Sequence, residues 1–229
     1  MISNKEERSE EELAINKKYI LFDLDGTISD PKKGITKSIQ YSLKAFDIHV
    51  MDIDTLTPFI GPPLRDSYKK YYGFSDEEAE KAVEQYREYF SEAGIFENTL
   101  YEGIDVLLKT LQNADKILII ATSKPTVYAE RILEYFKIAQ CFAFVSGSEL
   151  DGRRSKKGEI IRYALDSLDI TDIENAVMIG DRKYDIIGAK EIGMDSIGVL
   201  YGYGDLQELT DAGAPIVLKS VRDLHEMLT

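Results

Sequence analysis

The chain has 229 residues, a length that fits one core domain with an inserted subdomain better than two large domains. Apolar residues make up 44% and charged residues 30%, as in ordinary globular proteins, and the formal net charge of −13 argues against nucleic acid and anionic membranes as partners. No apolar stretch approaches the roughly 18 residues of a membrane span and no signal peptide is visible, so we expect a cytoplasmic protein. The single cysteine, Cys141, excludes an intrachain disulfide and lies in an apolar run, where a thiol packs rather than reacts.

Residues 1–15 are charged and lack a clear strand pattern, so we predict a mostly disordered or loosely docked N-terminal arm without an assigned function. An apolar run at residues 19–22 then leads directly into Asp23-Leu24-Asp25-Gly26-Thr27. A short apolar run followed by turn residues is typical of a strand buried on both faces. Asp23 and Asp25 are two positions apart and therefore point the same way, toward one ligand. Taken alone, this pattern also fits a solvated junction between a strand and a turn.

Residues 34–100 place apolar side chains at helical spacing and contain no β-type run, so we predict an all-α insert after the first strand. Gly73 ends one of its helices, and Ser75 with Glu78 forms a capping box that opens the next. We interpret the tyrosines of this segment as packing residues in preference to residues that stack on a ligand.

From residue 101 onward, apolar runs alternate with amphipathic helical patterns. We predict strands at residues 117–121, 142–145, 176–179, 196–200 and 215–218. Strands that alternate with helices favour a parallel sheet with helices on both faces. The predicted fold is therefore α/β, with a doubly wound parallel sheet in a core domain formed by 16–33 and 101–229 and an inserted all-α domain at 34–100.

Polar side chains follow three of the predicted strands at the point where each strand ends. Asp23 and Asp25 follow the first, Thr122 and Ser123 follow the second, and Asp181 follows the run at 176–179. The carboxyl ends of parallel strands meet at one edge of a sheet, where open α/β folds place their sites. We therefore expect these side chains to converge.

Four segments, in order, resemble the motifs of the haloacid dehalogenase superfamily of phosphohydrolases. They are D-x-D-G-T at 23–27, a hydrophobic strand that ends in Thr122, a lysine at the start of a helix, and G-D-x-x-x-D at 180–185. Lys157 matches the lysine motif better than its neighbour Lys156, which stays open as the alternative.

The helical insert resembles the small (C1-type) cap domain of the branch that contains phosphoglycolate phosphatase, β-phosphoglucomutase and some 5′-nucleotidases. Thr122-Ser123-Lys124-Pro125 is close to the T-S-K-P of the phosphoglycolate phosphatases. The resemblance implies a Rossmann-like core under a helical cap. It also implies chemistry on a phosphate ester with Mg²⁺ as cofactor.

The resemblance assigns roles to individual carboxylates. It implies that Asp23 is the nucleophile that forms an aspartyl-phosphate, and that Asp25 acts as the general acid and base. Mg²⁺ would be held by the carboxylates of Asp23 and Asp181 and by the backbone carbonyl of Asp25, with Asp185 supporting them from behind.

The remaining implied residues contact the phosphoryl group or the substrate. Thr122 donates a hydrogen bond and Lys157 adds positive charge during transfer. The residues expected to bind substrate are Gly26, Thr27, Ser123, Lys124 and Arg65. An anionic substrate needs local positive charge on so negative a protein, and the basic residues expected near the active edge are Lys32, Lys33, Lys124, Arg153, Arg154, Lys156, Lys157, Arg182 and Lys183.

Arg65 is a prediction from position and charge balance. It follows the rigid turn at 61–64 that opens a helix of the insert, and the stripe of Tyr68, Tyr71 and Tyr72 buries one face of that helix. We expect Arg65 to point at the core and bind a second anionic group of the substrate. The alternative is an exposed arginine at a helix start.

The sequence thus predicts a Mg²⁺-dependent hydrolase of a small soluble phosphate ester, either phosphoglycolate-like or a nucleoside monophosphate. A phosphomutase similar to β-phosphoglucomutase is one alternative, although Thr27 favours a phosphatase because such mutases often carry valine there. A catalytically inactive phosphate-binding regulatory protein is the other. We expect a monomer or a weak homodimer.

Overall fold

The computed structural model describes residues 17–229, and the predicted arm at 1–15 lies outside the described residues. Its main sheet has six parallel strands in the order β5-β4-β1-β6-β7-β8, and two further strands, β2 and β3, pair with each other. The strands are β1 (Tyr19–Phe22), β2 (Ser29–Asp30), β3 (Thr99–Leu100), β4 (Ile117–Pro125), β5 (Phe144–Ser148), β6 (Ala176–Gly180), β7 (Asp195–Val199) and β8 (Ile216–Leu218).

The helices are α1 (Lys32–Lys44), α2 (Leu64–Tyr72), α3 (Asp76–Glu92), α4 (Ile104–Asn113), α5 (Thr126–Tyr135), α6 (Lys157–Ser167), α7 (Lys183–Glu191), α8 (Leu206–Ala212) and α9 (Val221–Leu228). Helices α4, α5 and α9 cover one face of the main sheet, and α6 and α7 cover the other. The predicted α/β fold with a doubly wound parallel sheet is confirmed. Among residues 17–229, no helix combines the length and the apolarity needed to cross a membrane.

Strand β1 is central because its residues are apolar on both faces. Ile20 and Phe22 pack into the larger core on one face, whereas Leu21 packs into the smaller core on the other. The strand pairs in parallel with β4 on one side and β6 on the other. This arrangement places the end of β1, where Asp23 follows, between the ends of β4 and β6.

Two strands, β4 and β5, differ from the predictions by more than one residue at a boundary. Strand β4 continues past residue 121 to Pro125, and β5 covers Phe144–Ser148 instead of 142–145. The polar residues extend both strands because they remain paired, with Ala121 opposite Ser146 and Pro125 opposite Ser148. Hydrophobicity marks the buried middle of each strand and misses its polar end. Cys141 lies in a short 3-10 turn and is buried, as expected for a packed thiol.

The helical insert consists of α1, a 3-10 segment at Ile53–Phe59, α2, α3 and a second 3-10 segment at Gly94–Phe96. The predicted capping box of Ser75 and Glu78 opens α3, and Gly73 ends α2 in the left-handed conformation. The prediction of no β-structure in 34–100 was wrong at its end, because β3 pairs with β2 in an antiparallel ribbon. This ribbon joins the two chain crossings between core and insert. The division into two domains at residues 34 and 100 stays a prediction.

Three arginines bind backbone carbonyls across the boundary between insert and core. Arg182 of the core donates to the carbonyl of Ile60 at 2.5 Å, and Arg131 donates to Ser91 at 2.8 Å. In the reverse direction, Arg87 of α3 donates to Leu150 at 2.8 Å. These contacts hold the insert over the carboxyl edge of the sheet.

Candidate active site

Three carboxylates come together at the carboxyl edge of the main sheet. Asp23, Asp181 and Asp185 each offer one oxygen, and these oxygens all lie within 4.8 Å of one another. All three residues are buried. Gly26 makes this cluster sterically acceptable, because its φ of +87° suits glycine and an added Cβ would lie 2.2 Å from Asp181 Oδ2.

Lys157 is the cation of this cluster. Its Nζ lies 2.7 Å from Asp185 Oδ1 and 3.1 Å from Asp23 Oδ1, and its side chain is 3% exposed. Burial alone lowers the pKa of the Lys157 ammonium, but the charges of Asp185 and Asp23 outweigh burial and raise it above its usual value. Lys156, the alternative at this position, is exposed. The structure therefore brings Lys157, and not Lys156, to the carboxylates.

Asp25 forms a separate pair with Lys124. Lys124 Nζ lies 2.7 Å from Asp25 Oδ2 and 4.5 Å from the centre of the Phe90 ring. The other oxygen, Asp25 Oδ1, is buried without a hydrogen-bond partner among the described residues. Burial raises the pKa of Asp25, and Lys124 acts in the opposite direction. Lys124, which the sequence predicts to bind substrate, thus contacts Asp25, the residue predicted to act as both general acid and general base.

The charge balance of the site fits a divalent cation. Four carboxylates, from Asp23, Asp25, Asp181 and Asp185, face two ammonium groups, so two negative charges stay uncompensated. Burial and neighbouring carboxylates raise the pKa of Asp181 well above its usual value, and burial raises that of Asp185 to about 6 against the opposing charge of Lys157. A hard cation with oxygen ligands, such as Mg²⁺, matches this donor set. The described residues thus fit the expected cofactor.

The remaining predicted residues of the core divide between two places. Thr122 and Ser123 line a cavity above Asp23, and Thr122 Oγ1 accepts a hydrogen bond from the Lys124 backbone N–H at 3.3 Å. Gly26 and Thr27 lie on the opposite side, buried against Asp181, with Thr27 Oγ1 3.5 Å from Asp181 Oδ1. Their position is behind the carboxylates because the chain turns away from the cavity after Asp25.

The cavity has a volume of about 380 Å³ and lies between the sheet edge and the helical insert. Asp23 and Asp25 line its floor, and its apolar walls contain Phe59, Tyr86, Phe90 and Tyr128. Tyr86, one of the tyrosines of the insert interpreted as packing residues, is therefore buried and also faces the cavity.

Arg65 lines this cavity. The sequence prediction assumed that its guanidinium is free to bind substrate, but the guanidinium already has a partner. Its guanidinium is paired with Glu80 of the neighbouring helix α3, and 55% of its side chain is exposed. A substrate anion would have to compete with Glu80 for it. The reason for the difference is the packing of α2 against α3, which no local pattern reveals.

A family model described as haloacid dehalogenase-like hydrolase matches residues 20–199. The chain belongs to this family.

Individual relatives carry different names. The chain is 45% identical to a 5′-nucleotidase of Pseudomonas aeruginosa over 190 residues, which cover 83% of this chain and 86% of the relative. It is 35% identical to tyrosine-protein kinase PtkA of Mycobacterium tuberculosis over 211 residues, 91% of this chain and 72% of the relative. It is 27% identical to a phosphoglycolate phosphatase of Colwellia psychrerythraea over 205 residues, 86% of this chain and 90% of the relative.

Among solved structures, the crystal structure of a predicted phosphatase from Clostridium acetobutylicum has a TM-score of 0.89 and 50% sequence identity, and the match covers 92% of this chain and 97% of that one. The family and the assignment as a phosphatase, both expected from the four motifs, are confirmed.

In this haloacid dehalogenase-like hydrolase, most of the basic residues expected to supply positive charge near the active edge form ion pairs with carboxylates outside the three-carboxylate cluster. Arg153 pairs with Asp151 at 2.7 Å and Arg182 with Glu208 at 2.9 Å. Arg154, Lys32 and Lys33 pair with Glu149, Asp54 and Glu97 in the same way. Lys124 and Lys157 are the basic residues of this set whose ammonium groups contact the carboxylates of the site directly.

Sequence reasoning missed one segment of the site, the loop Tyr201–Gly204. The sequence analysis assigns no role to Gly202-Tyr203-Gly204, but the Tyr203 backbone N–H donates to Asp181 Oδ2 at 2.7 Å. A usable signal existed, since two glycines one residue apart follow the end of β7 at the same edge of the sheet as the carboxylates.

Proposed function

We propose that this chain is a Mg²⁺-dependent phosphomonoester hydrolase that works through an aspartyl-phosphate formed on Asp23. The observation that carries the proposal is that Asp23 belongs both to the carboxylate cluster and to the lining of the cavity. Among the described residues, it is the member of the three-carboxylate cluster that also lines the cavity. A carboxylate that borders both a metal site and a substrate cavity is positioned to attack phosphorus.

In the proposed first step, an Asp23 oxygen bonds to phosphorus while the bond from phosphorus to the leaving oxygen breaks, and Asp25 gives that oxygen a proton. In the second step, Asp25 takes a proton from water, which attacks the phosphoryl group, releases phosphate and restores the Asp23 carboxylate. Burial favours the protonated Asp25 that the first step needs, and Lys124 favours the ionised form that the second needs.

The other side chains hold the reacting groups in place. Lys157 fixes the Asp23 carboxylate through the 3.1 Å contact, and the Thr122 hydroxyl at the cavity wall is positioned to donate to a phosphoryl oxygen. When held by Asp23, Asp181 and the Asp25 carbonyl, with Asp185 supporting them from behind, Mg²⁺ would supply positive charge that reduces repulsion between the nucleophile and the phosphoryl oxygens.

We propose a nucleoside 5′-monophosphate as the preferred ester, ahead of phosphoglycolate. A cavity of about 380 Å³ with aromatic walls suits an organic group the size of a nucleoside better than a two-carbon acid. The relative with 45% identity is named a 5′-nucleotidase, and the relative named phosphoglycolate phosphatase is 27% identical.

We propose water, and not a protein hydroxyl, as the acceptor. One relative is named tyrosine-protein kinase PtkA, so a tyrosine hydroxyl of a partner protein is the alternative acceptor. The insert is held over Asp23 by Arg87 on one side and Arg182 on another, so such a tyrosine on a folded partner has little access to the phosphoryl group. Cytoplasmic location, a small phosphate ester as the partner, and a monomer or weak homodimer remain predictions.

The test is a panel of esters assayed for phosphate release with Mg²⁺ and with EDTA, with Asp23→Asn as the control. We expect release from nucleoside 5′-monophosphates to exceed release from phosphoglycolate, and EDTA to abolish both. Undiminished release in EDTA would contradict the Mg²⁺ requirement. Net isomerisation of a sugar phosphate would indicate the phosphomutase, and phosphate binding without turnover of any ester would indicate the inactive protein.

A further inference from the structure

The loop Tyr201–Gly204, which follows β7, lies directly against a carboxylate of the proposed metal site. The Tyr203 N–H donates to Asp181 Oδ2 at 2.7 Å. A Cβ on Gly202 would lie 2.4 Å from Asp181 Cβ and 2.3 Å from the Gly26 carbonyl oxygen. A Cβ on Gly204 would lie 2.0 Å from the Asp181 carbonyl oxygen. The loop backbone thus fills the space on one side of Asp181, and only glycine permits so close an approach.

The tyrosines of this loop reach both places where the chain crosses between core and insert. The Tyr203 hydroxyl forms a hydrogen bond with the carboxylate of Asp30 in β2. The Tyr201 hydroxyl donates to the Thr27 carbonyl at 3.1 Å, and its ring lies edge-on to Tyr101, just after β3, at 5.0 Å between centroids. One short loop therefore contacts the metal-site carboxylate, strand β2 and the residue that follows β3.

We infer that Tyr201–Gly204 is a positioning element that orients Asp181 toward the metal and ties this orientation to the β2–β3 ribbon. The inference rests on the proposed Mg²⁺ site. The N–H bond to Oδ2 fixes the rotation of the Asp181 carboxylate and so determines where Oδ1 points. The Tyr203 hydroxyl fixes the loop in turn, because its partner Asp30 belongs to the ribbon. None of these loop groups is itself a metal ligand.

Gly202→Ala tests the positioning role without backbone strain, since Gly202 lies outside the left-handed region. The added methyl must displace Asp181 or Gly26, so the Kd for Mg²⁺ measured by calorimetry should rise about 10–100-fold, the usual effect of disturbing groups behind a ligand. Gly198→Ala is the matched control, because its Cβ would meet Leu209 of the core at 2.9 Å. It should lower Tm and leave the Kd unchanged.

Tyr203→Phe tests the tie to the ribbon, and it also serves if Gly202→Ala does not fold. It removes only the hydroxyl that binds Asp30 and keeps the N–H that binds Asp181. We expect the Kd for Mg²⁺ to rise about 2–10-fold, as for the loss of one hydrogen bond. An unchanged Kd in folded Gly202→Ala would overturn the positioning role, and an unchanged Kd in Tyr203→Phe would overturn the tie. Wild-type protein that binds no Mg²⁺ would overturn the proposed function as well.

Discussion

The floor of the cavity, at the strand ends of the core, carries charged side chains that are buried and paired with one another. Its roof, in the helical insert, carries aromatic side chains together with charged ones that are partly exposed. The Lys157 side chain on the floor is 3% exposed, whereas that of Arg65 in the roof is 55% exposed. Charges on the floor are shielded from water and therefore act strongly, whereas those in the roof are screened.

This difference separates chemistry from selectivity. In the proposed mechanism, the floor contacts the phosphoryl group, which all phosphate esters share, so loss of a floor residue should affect every substrate. The roof would contact the organic group, which differs between esters. The roof is attached to the core by arginine-to-carbonyl contacts, such as Arg182 to Ile60, and by apolar contacts, because its buried side chains belong to the larger hydrophobic core. The predictions below test this separation, from the largest expected effect to the smallest.

Asp23→Asn should abolish turnover of every ester while the protein stays folded. The amide is nearly isosteric but cannot attack phosphorus, and Lys157 keeps Asp185 as a partner. We expect activity to fall by more than about 100-fold, which is the lower limit of what general acid–base catalysis contributes. The Tm should stay close to that of the wild type. A residual rate above one hundredth would remove Asp23 as the covalent nucleophile and weaken the view of the floor as the chemical part.

Lys157→Met should destabilise the metal-free protein, because it leaves Asp23 and Asp185 as buried carboxylates without their cation. Breaking such a buried pair costs about 3–5 kcal/mol, measurable by urea unfolding in EDTA. Lys156→Met is the matched control, since Lys156 is exposed and its loss should change stability by no more than about 0.5 kcal/mol. Equal effects of the two substitutions would show that the floor is not held by buried charge.

The metal-free protein should become more stable as the pH falls from about 7.5 to about 5.5. Burial raises the pKa of Asp181 well above its usual value and that of Asp185 to about 6, from 3.8. The carboxyl groups of Asp181 and Asp185 therefore bind protons more tightly in the folded state than in the unfolded chain, which stabilises the folded state at low pH. This stabilisation is lost as the pH rises through the pKa values of the folded state. Tm measured in EDTA should show the trend, and Asp181→Asn should flatten it. A Tm in EDTA that decreases steadily as the pH is lowered over this range would contradict the prediction.

Arg65→Ala should have the smallest effect, confined to esters with a second anionic group. The KM for phosphoglycolate should rise about two- to fivefold, the range of exposed ion pairs, because Glu80 already occupies the guanidinium. The KM for p-nitrophenyl phosphate should hardly change. Arg222→Ala, which removes an exposed arginine paired with Glu226, is the control. Equal changes for both esters, or none, would exclude Arg65 as a selectivity residue.

Three residues of the floor, Asp23, Thr122 and Asp181, could be predicted from the sequence because they follow apolar runs, whereas Lys157 was predicted from the family motif. An apolar run identifies a buried strand, parallel topology brings the strand ends together, and Asp23, Thr122 and Asp181 then have to meet. The roof could not be predicted in the same way. The pairing of Arg65 with Glu80 depends on how two helices pack, and periodicity shows which face of a helix is buried but not what it faces. Tyr203 and Asp181 are similarly far apart in the chain and share no local pattern.

The most direct test of the central claim is to trap the phosphoryl group on Asp23. Asp25→Asn cannot activate water, whereas p-nitrophenyl phosphate has a leaving group that needs little help from an acid. Reacted with this ester in Mg²⁺ and quenched in acid, the variant should carry one phosphoryl group on the peptide that contains Asp23, as shown by mass spectrometry. A burst of p-nitrophenol without phosphorylated protein, or with the phosphoryl group on another residue, would contradict the account.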